Sequence, residues 1–403
     1  MTNRLCVLPA VSMIALFAAF QGAGRAGEPM SEADLDQWTE ANKNPDGSKN
    51  KFNRPLKEFA RKGYIGFQDH GTPVSYRNIR IRSLDAAEPA PLARSAAAYT
   101  LTPETYGMEL KTPDGRTVFR YMTVKPVNTN LAANSVCCFH PLNTPSGERL
   151  TDLAPGDHHH HRGVFLAWHS MEFREKADFA AFGPTGPTRG FNINRGDFWG
   201  WGQFAPTQGR VIKNRDVKLV KADAQRVEVE IRNAWMIDDK TMMDETTTLN
   251  VREREGVYLL DLSYLLAPAQ ELVLNRTAFG GFCVRARNDG DSYYANSDGK
   301  VSLPDPHYSV PELNWPAADW YDYTIKLKDG KTIGAAVVDH PANPPSTWHN
   351  PRYVWMINPC IVANGPVSVK QGQPLRLRYR LVVHDGPTPV DLLQKLSREW
   401  RGR

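Results

Sequence analysis

From about residue 100 onward, apolar and polar residues alternate with a period of two, the signature of half-buried strands. TYGMELKTPDGRTVFRYMTV alternates on both sides of Asp114-Gly115, which predicts a hairpin. RVEVEIRNAW alternates cleanly, and TTTLNVREREGVYLLDLSYLLA predicts a second hairpin turning at Glu255-Gly256. DYTIKLKDGKTIGAAVVDH predicts a third, turning at Asp329-Gly330. PLRLRYRLVVHDG reads as a long strand, and VDLLQKLSREW after it has helical spacing. Many strands, tight turns and one late helix predict an all-β fold: a large antiparallel β-sandwich with a C-terminal helix.

The N-terminal part is organised differently. Leu5 to Phe20 is largely apolar and follows Arg4, and Gly24-Arg25-Ala26 offers a cleavage site. The run is short for a membrane span and contains Pro9, so residues 1–26 are expected to be a signal peptide. The mature protein would then be periplasmic or secreted, with no stable membrane span. Residues 30–42 predict a short helix capped by Ser31, followed by the loop NKNPDGSKNKFNRP. An Ala/Pro-rich stretch, DAAEPAPLARSAAAY, predicts a linker over residues 85–98. This divides the chain into a fragment over residues 27–84, the linker, and a main domain over residues 99–403.

Composition adds exclusions. The chain has 403 residues and a formal net charge of +5, and its basic residues do not interleave densely with aromatics, so no nucleic-acid partner is expected. Cys137, Cys138, Cys283 and Cys360 remain after cleavage; buried thiols and one long-range bridge are both open, but adjacent Cys137 and Cys138 should not pair. There is no GxSxG elbow, phosphate loop, HExxH or CxxC. No cofactor is therefore expected, although a divalent metal remains open.

Histidine carries the candidate chemistry. Asp157-His158-His159-His160-His161-Arg162-Gly163 leads into the strand VFLAWHS. An extended run would put His158 and His160 on one face. Imidazoles titrate near neutrality and suit acid/base work or metal ligation, and Arg162 suits a carboxylate. His158, His160, His161, Arg162, Asp339 and His340 are the candidate catalytic residues. His158, His160 and His161 are also the candidate ligands should a metal bind. His140, Trp168, Asp197, Trp199, Trp348 and Asn358 are candidate substrate-binding residues, because Trp faces stack on sugars while amides, carboxylates and imidazoles take hydroxyls. Trp199 and Trp201 would share one face of a strand.

His140-Pro141, Thr144-Pro145-Ser146-Gly147, the Asp157–Gly163 run, Asp197-Phe198-Trp199, Asp339-His340-Pro341-Ala342-Asn343-Pro344 and the final Leu377–Gly386 strand resemble the PmoA-like family of exported bacterial proteins. The resemblance covers residues 100–390 or so. The family is commonly labelled "methane oxygenase PmoA", but a membrane monooxygenase subunit needs several spanning helices and the sequence offers only the signal-like segment. Its motif, Asp-His-x-His-His-Arg-Gly, falls on His158, His160, His161 and Arg162 and leaves His159 variable. Ala317-Ala318-Asp319-Trp320 departs from the family's Arg-Ala-Arg-Trp. Residues 45–84, with Gly63–Gly71 and Val74–Ile81, are similar to the end of a 3-keto-disaccharide hydrolase domain. By analogy the sandwich is expected to be galactose-mutarotase-like.

These features predict an exported enzyme using His/Asp acid/base chemistry on a glycan or a modified, 3-keto sugar, by hydrolysis, elimination or epimerisation. Two other readings stay open: a non-catalytic carbohydrate-binding protein, and a metal-dependent enzyme built on the histidine run.

Overall fold

The computed structural model describes residues 36–58, 97–173 and 195–402. It divides into two compact units, Met1–Arg94 and Ser95–Arg403. The apolar segment, the Gly63–Ile81 motif and most of the linker lie outside the described residues.

In the first unit, residues 36–42 form turns where a helix was expected. The end of this segment pairs with the loop that follows: the backbone amide of Asn42 donates to Phe52 O at 2.7 Å, and its carbonyl accepts from the amide of Asn50 at 2.9 Å. A single 3-10 turn follows at Leu56–Glu58.

The second unit is a large antiparallel β-sandwich with a C-terminal helix. A seven-stranded sheet runs in the order Thr100–Glu104, Gly107–Lys111, Thr117–Met122, Cys138–Leu142, Val164–Ala167, Gly281–Arg285 and Met356–Ile357. A nine-stranded sheet contains Arg210–Ala222, Arg226–Ile237, Lys240–Arg254, Val257–Pro268, Leu375–Asp385, Thr332–Asp339 and Trp320–Leu327 as neighbours in that order. The three hairpins turn where the sequence places Asp114-Gly115, Glu255-Gly256 and Asp329-Gly330.

One core fills the space between the sheets. Phe282 from the smaller sheet stacks on Tyr379 from the larger, with centroids 4.5 Å apart. Along the larger sheet the alternation is strict: Val337, Tyr379 and Leu381 enter this core, whereas Val338 and Val382 point outward. The outward apolar stripe is covered by the helix Val390–Arg401 through Leu393 and Leu396. All four described cysteines are free, buried thiols, and burial raises each of them, Cys360 to about 12. Among the described residues no helix is long and apolar enough to cross a membrane.

Candidate functional site

The histidine run is a turn, not a strand. The amide of His158 donates to Pro155 O at 3.0 Å and that of His161 to His158 O at 3.0 Å. Gly163 closes the turn at φ +46°, where a Cβ would lie 2.2 Å from the carbonyl oxygen of Phe139, so only glycine fits. The turn gathers three rings that an extended run would have split between faces. His158 stacks on His161 at 4.8 Å, and His160 meets His161 edge-on at 4.6 Å. His159 points away and is exposed.

Arg285, at the end of the strand Gly281–Arg285, organises the cluster from below. Its side chain is fully buried and donates to both oxygens of Asp157, at 2.7 and 2.8 Å. Its other terminal nitrogen donates to His161 Nδ1 at 3.2 Å, and the guanidinium lies 5.5 Å from the centroid of the Trp355 ring. Asp157 Oδ2 accepts from His158 Nδ1 at 2.7 Å. A carboxylate can only accept, so the proton of neutral His158 sits on Nδ1 and its Nε2 lone pair is free. Burial tends to raise the Asp157 carboxyl, but His158 and Arg285 outweigh it and hold it below the usual range.

The other imidazoles are held neutral. Burial, with nearby His158 and Arg162, pushes His160 down to about 3, and burial also puts His161 well below its ordinary value. His169 and His349 are likewise pushed down by burial, to about 4 and about 3. His169 Nε2 donates to Phe279 O at 2.9 Å, and His349 Nδ1 donates to Asn314 Oδ1 at 2.9 Å. The remaining nitrogen of each ring is therefore an acceptor. Phe279 lies between them, with centroids 4.2 Å from His169 and 5.3 Å from His349. Partly buried Trp201 continues this wall toward Tyr308, 5.7 Å away and 42% exposed, and it lies 6.3 Å from His160. The site thus presents one half-exposed imidazole, His158, beside enclosed neutral histidines and an aromatic surface that opens at Trp201 and Tyr308.

Several sequence-predicted residues fall elsewhere. Arg162 is fully buried and donates to the carbonyls of Trp199 and Phe198 at 2.9 and 3.2 Å, so it fastens backbone and does not face a ligand. Trp168, Trp199 and Trp348 are core residues with at most 1% exposure, where no sugar face reaches them. Trp199 and Trp201 lie in a bend, not on one strand face. Asp197 shapes that bend: its oxygens accept from the amides of Gly200 and Gly202 at 2.7 and 2.6 Å, and burial raises its carboxyl to about 7. Asn358 pins the backbone of Gly280 and Phe282. His140 meets Thr151 Oγ1 at 3.1 Å and is lowered to about 4 by burial.

Asp339 and His340 do not form a pair. Asp339 accepts from Asn343 and Ser346, each at 2.6 Å, and His340 packs on Trp400 of the helix, away from the histidine run. Among the described residues no three His, Cys, Asp or Glu side chains converge to hold a metal ion. Sequence reasoning missed Arg285 and Trp201 as site residues. An arginine ending an otherwise apolar strand, GFCVR, was the available signal.

A family model matches residues 111–398, which is most of the chain. The chain belongs to DUF6807, a family of unknown function. The DUF6807 match contains the Asp157–Gly163 turn, Arg285 and Trp201, and it carries a description different from the PmoA-like one. No curated protein matches the chain. Among solved structures, a galactose mutarotase related enzyme from Lactobacillus acidophilus is similar over 71% of this chain and 97% of its own, at 7% identity and a TM-score of 0.31. The GH36 alpha-galactosidase AgaA of Geobacillus stearothermophilus is similar over 73% of this chain and 40% of its own, at 9% identity and a TM-score of 0.33. A GalM/aldose epimerase homologue from C. elegans is similar over 72% of this chain and 98% of its own, at 8% identity and a TM-score of 0.28.

Proposed function

We propose that this protein is an exported enzyme acting on a glycan or a modified sugar, with His158 as its acid/base group. The observation that carries this reading is the Asp157–His158 pair fastened by buried Arg285. A base oriented by a carboxylate that is itself held in place is a recurrent arrangement for proton transfer. His158 Nε2 takes up the proton leaving the substrate. Asp157 stabilises the resulting imidazolium, which then returns the proton to the departing oxygen or to carbon. Hydrolysis, elimination and epimerisation all use this transfer. Trp201 and Tyr308 supply ring faces for the apolar side of a sugar.

The test is a glycan and keto-glycoside panel run on wild-type, His158→Ala and Trp201→Ala proteins, with and without chelator. The reading expects turnover that His158→Ala abolishes with the fold intact, and that Trp201→Ala weakens through KM. Exposed Tyr308 beside Trp201 favours a second reading, a sugar-binding protein without turnover. Binding by the wild type with no turnover, unchanged in His158→Ala, would establish that second reading in place of the first.

A further inference from the structure

A cleft of about 400 Å³ opens on the outward face of the nine-stranded sheet beside the C-terminal helix, and Arg226, Arg252, Arg378 and His340 line it. These arginines point outward because Val227, Val251 and Leu377 beside them point into the core. Arg226 lies directly opposite Arg252 in register, an arrangement of like charges that is unfavourable by itself. The lining carboxylate, Asp261, is taken by Arg252 at 2.9 Å and by Arg380 at 2.6 and 2.9 Å. Asp223 approaches Arg226 only to 3.9 Å. Among the described residues the Arg378 guanidinium has no hydrogen-bond or ion-pair partner. The cleft therefore holds uncompensated positive charge. Glu228, opposite Asn250 in register, lies next to it.

Spacing identifies the ligand class. Arg226 and Arg378 stand on strands three places apart in the sheet, and Arg226 aligns through Arg252 and Leu259 with Val382, four residues beyond Arg378, so the two lie roughly 20 Å apart at ~4.8 Å per strand and ~3.3 Å per residue. One small anion cannot touch both, so a ligand that uses the whole cleft carries at least two anionic groups. Asn250 and Ser263, between the arginines, offer neutral partners for hydroxyls. Trp400 forms the side wall, and its indole N–H is buried without a partner. Arginine forks match carboxylate and sulfate, amides and hydroxyls match a polyol, and a single Trp is too little for stacked bases.

We propose that this cleft is a second binding site, separate from the histidine site, for an oligosaccharide carrying carboxylate or sulfate groups. Calorimetric titration of the full chain with a galacturonic acid tetramer, its neutral galactose counterpart and inorganic sulfate tests it. The acidic tetramer should bind, and at least tenfold more tightly than either of the others. Arg378→Ala and Arg226→Ala should each weaken it about tenfold, and raised salt should weaken it further. Both residues are exposed, and unchanged melting temperatures would confirm that the variants fold. His158→Ala should leave this binding unchanged, which separates the site from the proposed catalytic one whatever the outcome there. Absence of binding, sulfate binding as tight as the tetramer, undiminished binding in the double arginine variant, or loss of binding in His158→Ala would overturn the proposal.

Discussion

Arg285 holds Asp157 through a single nitrogen: Nη2 donates to Oδ1 at 2.7 Å and to Oδ2 at 2.8 Å, and Oδ2 also accepts from His158. The carboxylate is thus fixed before any ligand arrives, and with it the plane of the His158 ring. Replacing Asp157 by Asn keeps the shape but removes the charge that stabilises a protonated His158. Turnover on the true substrate should fall on the order of 100-fold, with KM little changed. Steady-state kinetics of Asp157→Asn check this, and a change confined to KM would contradict it.

The clamp also distinguishes arginine from lysine. Arg285→Lys keeps a positive charge but cannot serve Asp157 and His161 together. It should lower turnover about tenfold or more while leaving most of the protein folded, as read from paired kinetic and thermal measurements.

The tryptophans separate by burial. Trp199 is fully enclosed, and Trp199→Ala should cost about 3–5 kcal/mol of stability through the cavity it leaves. Trp201→Ala, at the partly open end of the aromatic wall, should cost much less and should weaken sugar binding instead. Denaturant titration and glycan affinity of the two variants, compared side by side, make the distinction.

Glycine at the end of the histidine turn is a steric requirement. In Gly163→Ala the new methyl would meet Phe139 O at 2.2 Å, and the residue would keep a positive φ. The expected loss is about 1–3 kcal/mol, as for other overpacked sites. Activity should fall with it because His158, His160 and His161 move together.

A buried pair elsewhere sets a pH dependence. His384 and Asp322 are both fully enclosed, with Nε2 and Oδ2 2.9 Å apart. Burial alone would lower His384, but the Asp322 carboxylate and its hydrogen bond reverse this and leave the imidazole above its ordinary value. A histidine raised on folding contributes stability that is complete below its unfolded value, about 6.5, and is lost as pH rises through the folded value. The melting temperature of the wild type should therefore drop more between pH 6 and pH 9 than that of His384→Gln. Parallel pH profiles for the two would refute the assignment.

The strands were legible because they announce themselves locally. A period of two around Asp114-Gly115 or Glu255-Gly256 needs no knowledge of the rest of the chain. The site was legible only in part. The sequence singled out the histidine run, but its geometry depends on Pro155 and Gly163 bending it, so a face assignment based on extension failed. Asp339-His340 and Trp348-His349 are near neighbours in sequence, yet His340 joins the cleft beside the helix and His349 joins the histidine site. Trp199 and Trp201 look alike in sequence, and only tertiary packing separates the enclosed one from the accessible one. Arg285 is 128 positions from Asp157, a pairing that no local pattern encodes.

The place of the last strand has a consequence for biosynthesis. Leu375–Asp385 is inserted between Val257–Pro268 and Thr332–Asp339, in the middle of the nine-stranded sheet. Until the ribosome has delivered it, both neighbours are open edges, and the nascent chain presents unpaired backbone that invites association with other chains. The sandwich therefore cannot be assembled vectorially from its N-terminal side. Its folding awaits the synthesis of Leu375–Asp385, and a chain stopped before Leu375 should depend on a holding chaperone to stay in solution.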